Sequence, residues 1–366
     1  MIGGGVGGLG AIVGFRKLDK TTEIILVDPK EYTEICSASY RSPFEPWVAE
    51  ASVVDLQNFC KTKAVTHIKA LVVTMDAKEA TLDDGTIIPF SVAVAASGAT
   101  TQWPGLGRGP WVGTKTRADR IAALKEEGIR LLNTKSVLVV GGGLIGAELA
   151  GDLKGYAIKA GKELEVTLVH SKEQLCPEFS PAAAKMVKKK LEKLGVTVIL
   201  NDRAVANDKG EMVLEKKGTV VDANEVVMTN GIGACNSFMK GMSTEALNEQ
   251  GFINSDEYFR VKGTDGKVFA VGDCCTTLPN AANQIIANIH VLGKNVKITL
   301  DAVVAHQLKP ELKGLKPFAL GASKYVVTTG PHDGVFYSPM FWTQYLLPRL
   351  KNSTQFLFHI KPELGL

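Results

Sequence analysis

Two glycine clusters carry the first chemical signal in this chain. Gly3-Gly4-Gly5-Val6-Gly7-Gly8 fits GxGxxG at Gly3, Gly5 and Gly8, and Gly141-Gly-Gly143-Leu-Ile-Gly146 repeats the spacing 138 residues later. Glycine at these positions allows a tight turn and brings backbone N–H groups close to a pyrophosphate at a helix N-terminus. A residue at the end of the following strand completes such a site by holding the adenosine ribose. Ile24-Ile-Leu-Val-Asp28 supplies an acid, Asp28, for the first cluster. Glu165-Val-Thr-Leu-Val-His170 supplies a histidine for the second, followed by Ser171 and Lys172. A carboxylate there would repel a ribose 2′-phosphate, whereas His170 would not, so NADPH is admitted alongside NADH. The alternative is that His170 is an ordinary strand-end residue.

Each glycine turn needs a buried strand before it and a helix after it. Ser136-Val-Leu-Val-Val provides the strand for the second turn, but only Met1 and Ile2 precede the first. The central strand of the first sheet is therefore expected to be short, with a start upstream as one account. Duplication of a nucleotide-binding unit predicts an α/β chain with two Rossmann-like dinucleotide-binding domains and a small C-terminal α+β segment. The expected division is 1–106 with 251–317, then 107–250, then 318–366. The first boundary falls in the turn-rich stretch Trp103-Pro-Gly-Leu-Gly-Arg-Gly-Pro. Ala80 to Ile88 reads as a hairpin around Asp84-Gly85, followed by an apolar strand at Val92 to Ala96. Further strands are expected at Val196 to Leu200, Met212 to Leu214 and Val226 to Thr229, and the strand beginning at Val268 should return to the first sheet.

With 366 residues, 45% hydrophobic and 22% charged, the chain suits two or three globular domains. The pattern contains neither a membrane-spanning run nor a secretory signal, so a cytoplasmic protein is expected. Its six cysteines lack a disulfide-framework spacing and are expected to be reduced, with no structural zinc or other metal. From Lys294 onward there are nine Lys/Arg against four Asp/Glu, and seven of the 23 residues from Phe336 to Phe358 are aromatic. Such a basic, aromatic tail suits nucleic acid, a membrane surface or an aromatic ligand.

Beyond the glycine turns, Ala96-Ser97-Gly98, Thr229-Asn-Gly231-Ile-Gly233, Val268-Phe-Ala-Val-Gly272-Asp273-Cys274 and Gly330-Pro-His-Asp-Gly-Val resemble motifs of the pyridine-nucleotide-dependent flavoprotein reductases. More narrowly, the chain is similar to the ferroptosis suppressor and apoptosis-inducing-factor-like branch, itself related to type II NADH dehydrogenases. The resemblance implies FAD at the first glycine unit and NAD(P)H at the second. It carries a flavin ribityl contact over to Asp273 and a place beside the nicotinamide to Glu148. It puts Arg41, Ser97 and Gly98 on the FAD side, Gly231 on the NAD(P)H side, and Phe356 on the acceptor side, with Trp342, Tyr345 and Phe358 behind it.

Departures from the pattern matter too. The branch's Ala-Thr-Gly is Ala96-Ser97-Gly98 here, and no CxxxxC accompanies Cys36, so no dithiol relay is available and electrons must leave the flavin directly. Met1-Ile2 does not supply the myristoylation signal of the ferroptosis suppressor branch. The expected reaction is hydride transfer from NAD(P)H to FAD and passage of two electrons to a quinone. One alternative is reduction of a small redox protein such as a ferredoxin. Another is an interaction or nucleic-acid-binding protein with structural FAD, although no nucleic acid is expected as partner. Peripheral membrane contact through the C-terminal segment and the oligomeric state are left open.

Overall fold

The protein is described by a computed structural model over residues 1–100, 113–277, 282–308, 313–321 and 324–366. The expected crossing at Trp103 to Pro110, with its boundary at 106/107, lies outside the described residues.

Two parallel sheets organise the chain. In the second, Val196–Ile199, Glu165–Val169, Ser136–Val140 and Glu225–Met228 lie side by side in that order, every pair parallel. Val137 to Val140 is buried throughout, as a central strand covered on both faces must be. In the first, Thr66–Ile68 pairs with Ile25–Val27, and Ala93–Ala95 pairs with Val268–Ala270. Between these pairs stands Ile2, bridged in parallel to both Val27 and Ala95. Ile2 N–H donates to Val94 O at 2.9 Å, Ala96 N–H to Ile2 O at 2.8 Å, and Gly3 N–H to Val27 O at 2.9 Å. The expected short central strand is thus present as a two-sided ladder of minimal length, and the strand at Val268 does return to the first sheet.

The hairpin expectation holds at Glu79–Leu82 and Ile87–Pro89, with Gly85 at φ +86°. Sequence reading missed its third strand, Val72–Met75, and the strand Ala204–Ala206 that pairs with Met212–Leu214. The C-terminal part has the expected α+β character. Tyr325–Thr328, Gly334–Tyr337 and Trp342–Thr343 form an antiparallel sheet, and helices Leu346–Thr354 and Leu357–Glu363 follow. It packs onto both halves: Val327 and Val335 join the core around Val137 to Leu191, while Leu357, Ile360 and Leu364 join the core around Leu9 and Ile289. Among the described residues, no helix is long and apolar enough to cross a membrane.

The first glycine turn is held by contact between helices Val6–Arg16 and Ala282–Val304. A Cβ on Gly14 would stand 2.1 Å from Ile289 O, and one on Gly293 would stand 2.2 Å from the Gly14 carbonyl carbon. Backbone meets backbone here, which repays the helix-propensity cost of interior glycine. Gly293→Ala is therefore expected to destabilise the fold by about 1–3 kcal/mol through overpacking. Thermal denaturation measures it, and an unchanged melting temperature would contradict the contact.

Candidate functional site

The two glycine turns divide their work identically. Gly3 and Gly141 have φ of +96° and +115°, a region that side chains with a Cβ rarely enter. A Cβ on Gly8 would stand 1.9 Å from Gly3 O, and one on Gly146 would stand 1.8 Å from Gly141 O, so both positions close the helix onto its turn. Gly5 and Gly143 are the helix N-caps, without a side-chain cap, and a Cβ on either would meet nothing within 4 Å. Open space thus lies in front of two helix N-termini whose N–H groups and dipoles favour an anion. That cradle fits a pyrophosphate at each end.

One cavity of about 1710 Å³ takes in both turns. Ordinary ligand pockets run to roughly 300–1,000 Å³, so this one has room for more than one ligand. Gly3, Gly5, Asp28, Ser97, Gly98 and Asp273 line it from the first half, Gly143 and Glu148 from the second, and Phe356 from the C-terminal part. The structure does not place Gly8, Arg41, Gly141, Gly146, His170 or Gly231 among its lining residues. For Gly8, Gly141 and Gly146 the reason is their service inside the turns; Gly231, at φ +70°, precedes the lining residue Ile232.

Asp28 and His170 make equivalent bonds. Gly4 N–H donates to Asp28 Oδ2 at 2.8 Å, and Gly142 N–H donates to His170 Nδ1 at 3.0 Å. Asp28 Oδ1 also accepts from Lys30 N–H at 2.9 Å and pairs with Lys30 Nζ at 3.0 Å. Because His170 Nδ1 accepts, a neutral ring must carry its proton on Nε2. Burial first, then the Lys172 charge, holds the His170 pKa below its ordinary value and so keeps that neutral form.

Glu148 lies at the meeting of the two halves and the C-terminal part. It is buried, and its Oε1 accepts from Lys351 Nζ at 2.6 Å, Thr328 N–H at 2.8 Å and Thr328 Oγ1 at 3.0 Å. Tyr40 Oη is 3.1 Å from the same oxygen and 3.0 Å from Gln355 Oε1, so its single proton serves one of them at a time. Burial, then the Glu148 charge, pushes the Tyr40 pKa well above the ordinary phenol value and keeps the hydroxyl protonated. Lys351 also donates to Val326 O at 2.7 Å. Tyr40, Glu148 and Lys351 all face the cavity.

Arg41 is fully buried behind this cluster. Its Nε and Nη2 grip Asp152 at 2.9 and 2.6 Å, and its Nη1 donates to Asn352 Oδ1 at 2.7 Å. With its donors so occupied, it ties the first half to helix Leu144–Lys159 and to the C-terminal part. Burial alone would lower the Arg41 pKa, but Asp152 overcomes that and holds it above the usual range.

Of the tail aromatics, Phe356 lines the cavity beside His359 and Ile360. Gln355 and Phe356 both have left-handed backbones, φ +50° and +55°, at the link between the last two helices. Tyr345 and Phe358 are exposed, and Trp342 packs partly against the second core. Met340 and Phe341 are exposed and also line the cavity. Cys36 lies on the wall near Glu34 O, and none of the six cysteines is joined in a disulfide among the described residues. Sequence reasoning missed Tyr40, Asp152, Lys351, Asn352 and Gln355. A lysine or tyrosine whose partner lies more than a hundred residues away leaves no local pattern.

Residues 1–291 match the family described as pyridine nucleotide-disulphide oxidoreductase. The chain is 27% identical to Ferroptosis suppressor protein 1 of Mus musculus over 369 residues, covering 98% of this chain and 92% of that one. It is 25% identical to Apoptosis-inducing factor 1 of Saccharomyces cerevisiae over 365 residues, covering 95% and 93%. Its fold resembles the sulfide:quinone oxidoreductase of Aquifex aeolicus (TM-score 0.74, 16% identity, 99% and 91% covered) and NDH2 of Plasmodium falciparum in complex with NADH (TM-score 0.73, 14%, 100% and 96%).

Proposed function

This chain belongs to the pyridine nucleotide-disulphide oxidoreductase family and is an oxidoreductase of FAD and NAD(P)H, and we propose that a quinone accepts its two electrons. A single observation carries the proposal: one cavity contains both glycine turns and continues to an aromatic wall at Phe336, Phe341 and Phe356. FAD, when bound, supplies the two-electron relay between nicotinamide and acceptor.

The protein's residues bind, orient and exclude water. The first turn and Asp28 would hold the adenosine and pyrophosphate of FAD, with Ser97, Gly98 and Asp273 farther along the same wall. The second turn, with His170 behind it, would hold NAD(P)H. Glu148, fixed by Lys351 and Thr328, gives the nicotinamide a rigid wall so that the reacting rings meet in one geometry. Phe356, Ile360 and Ile286 present an apolar surface to a bulky acceptor. Exposed Met340 and Phe341 sit at the rim of this cavity, where a peripheral membrane surface could deliver an apolar quinone.

Turnover of NADH and NADPH with soluble quinones, compared with a ferredoxin, tests the assignment. Fast oxidation that requires quinone is expected; turnover with ferredoxin alone, or with neither, would refute it. Phe356→Ala should lower quinone kcat/KM roughly tenfold, the value of about 1–2 kcal/mol of lost apolar contact. Single-turnover bleaching of the flavin by NADH should persist, and a variant with normal quinone kcat/KM would move the acceptor site elsewhere.

His170→Glu should place a carboxylate where Asp28 stands in the first unit, accepting from Gly142 N–H. NADPH kcat/KM should then fall by roughly 10- to 100-fold more than that of NADH, since like charges would face each other at the 2′-phosphate. Equal effects on the two nucleotides would take His170 out of the adenosine site.

A further inference from the structure

A second concave site lies away from the large cavity. It forms where helix Pro181–Leu194, the turn from Thr329 to Asp333 and the start of helix Leu346–Thr354 meet, and it has a volume of about 430 Å³. Lys190, His332, Asp333, Gln344, Tyr345 and Arg349 line it. Asp333 is its one carboxylate among the described residues, and that charge is already engaged. Lys190 Nζ lies 2.7 and 2.6 Å from the two Asp333 oxygens, and Gly334 N–H donates to Oδ1 at 2.8 Å.

Two cations, Lys190 and Arg349, against one carboxylate leave the wall net positive. The Lys190 side chain is only 14% exposed, so the ion pair holds its ammonium at the site with little rotamer entropy left to lose. Arg349 offers a planar fork of donors, Gln344 an amide and Tyr345 a hydroxyl. The residues that carry these donors lie far apart in sequence and line one small volume.

We propose that this pocket binds a phosphate group. A carboxylate would be satisfied by the arginine fork alone, whereas a phosphate has the oxygens and charge to engage a fork, an ammonium and neutral donors together. The phosphate of a lipid headgroup and that of a soluble phosphate ester share this chemistry. The site is independent of the quinone assignment, because none of its residues lines the large cavity.

The test uses the full FAD-loaded chain with three probes: inorganic phosphate followed by calorimetry, phosphatidylcholine vesicles, and phosphatidylcholine vesicles containing phosphatidic acid. Arg349→Gln should weaken binding of a phosphate probe by about tenfold or more, the worth of one charge-assisted hydrogen bond. Lys190→Gln should do the same, and NADH turnover with a soluble quinone should be unchanged in both. Binding that needs phosphatidic acid and is lost in Arg349→Gln assigns a lipid headgroup. Arg349-dependent binding of inorganic phosphate without vesicle binding assigns a soluble ester. The proposal is overturned if no probe binds, if both variants bind like the parent chain, or if acetate competes as well as phosphate does.

Discussion

Arg41→Met should cost about 3–5 kcal/mol of folding stability, the loss expected when one partner of a buried ion pair is removed and the other left in place. Asp152 is fully buried, and burial already pushes its carboxyl up to about 6 even with Arg41 against it. Without Arg41 that carboxyl must rise further, while its unfolded value stays near about 3.9. In the variant the native state then holds a proton that the unfolded state has released. Stability therefore increases as pH falls from above the folded pKa toward the unfolded one. The deficit relative to the parent chain should be largest near about pH 8 and smaller near about pH 5. Asp152→Asn in the same chain should recover part of it. Denaturant titration at the two pH values checks the sign, and a deficit that grows on acidification would contradict the assignment of the buried charge.

Gly143→Val should leave the fold intact and remove use of the pyridine nucleotide. A Cβ at Gly143 meets nothing within 4 Å, so no protein atom opposes the first atom of the new side chain. Its φ of −70° with ψ of −173° is extended backbone that valine adopts readily. The space it enters is the one left for an anion at the helix N-terminus. NADH and NADPH kcat/KM should both fall by about 100-fold or more, since oriented N–H contacts and the helix dipole are lost together with room for the ligand. The melting temperature and flavin content should remain those of the parent chain. Retained NADH turnover in a folded variant would show that the second turn does not hold the nucleotide.

The features legible in the sequence are those imposed by neighbours along the chain. Gly3, Gly5 and Gly8 are fixed by a positive φ, an open cradle and a close approach, each acting within six residues, and the same holds at Gly141, Gly143 and Gly146. Asp28 and His170 are readable because a strand of fixed length carries them back to the glycine turn. The Asp84-Gly85 hairpin and the buried strand Ser136–Val140 are legible for the same local reason.

Other features depend on residues that only folding brings together. Arg41 meets Asp152 across 111 positions, and Glu148 meets Lys351 across 203. The resemblance puts Arg41 on the FAD side, and in the structure its donors meet Asp152 and Asn352. The helix Leu357–Glu363, only seven residues long and containing Pro362, has no strong helical period, yet Leu357 and Ile360 are part of the first core. Deleting the chain from Phe341 onward would thus remove core and the partners of Glu148 and Arg41 as well as the aromatic wall. A single substitution at Phe356 separates the acceptor question from folding.

The proposed electron path runs through one cavity, from a nicotinamide at the second glycine turn to a quinone at the C-terminal wall. Anaerobic double-mixing stopped flow measures this directly: the FAD-loaded chain is mixed first with one equivalent of NADH and then with a soluble quinone, while flavin absorbance is followed. Loss of the oxidised flavin band is expected in the first mix, and its full return with quinone in the second, at rates no slower than steady-state turnover. Bleaching that quinone does not reverse at such a rate, or no bleaching by NADH in a flavin-loaded chain, would contradict it.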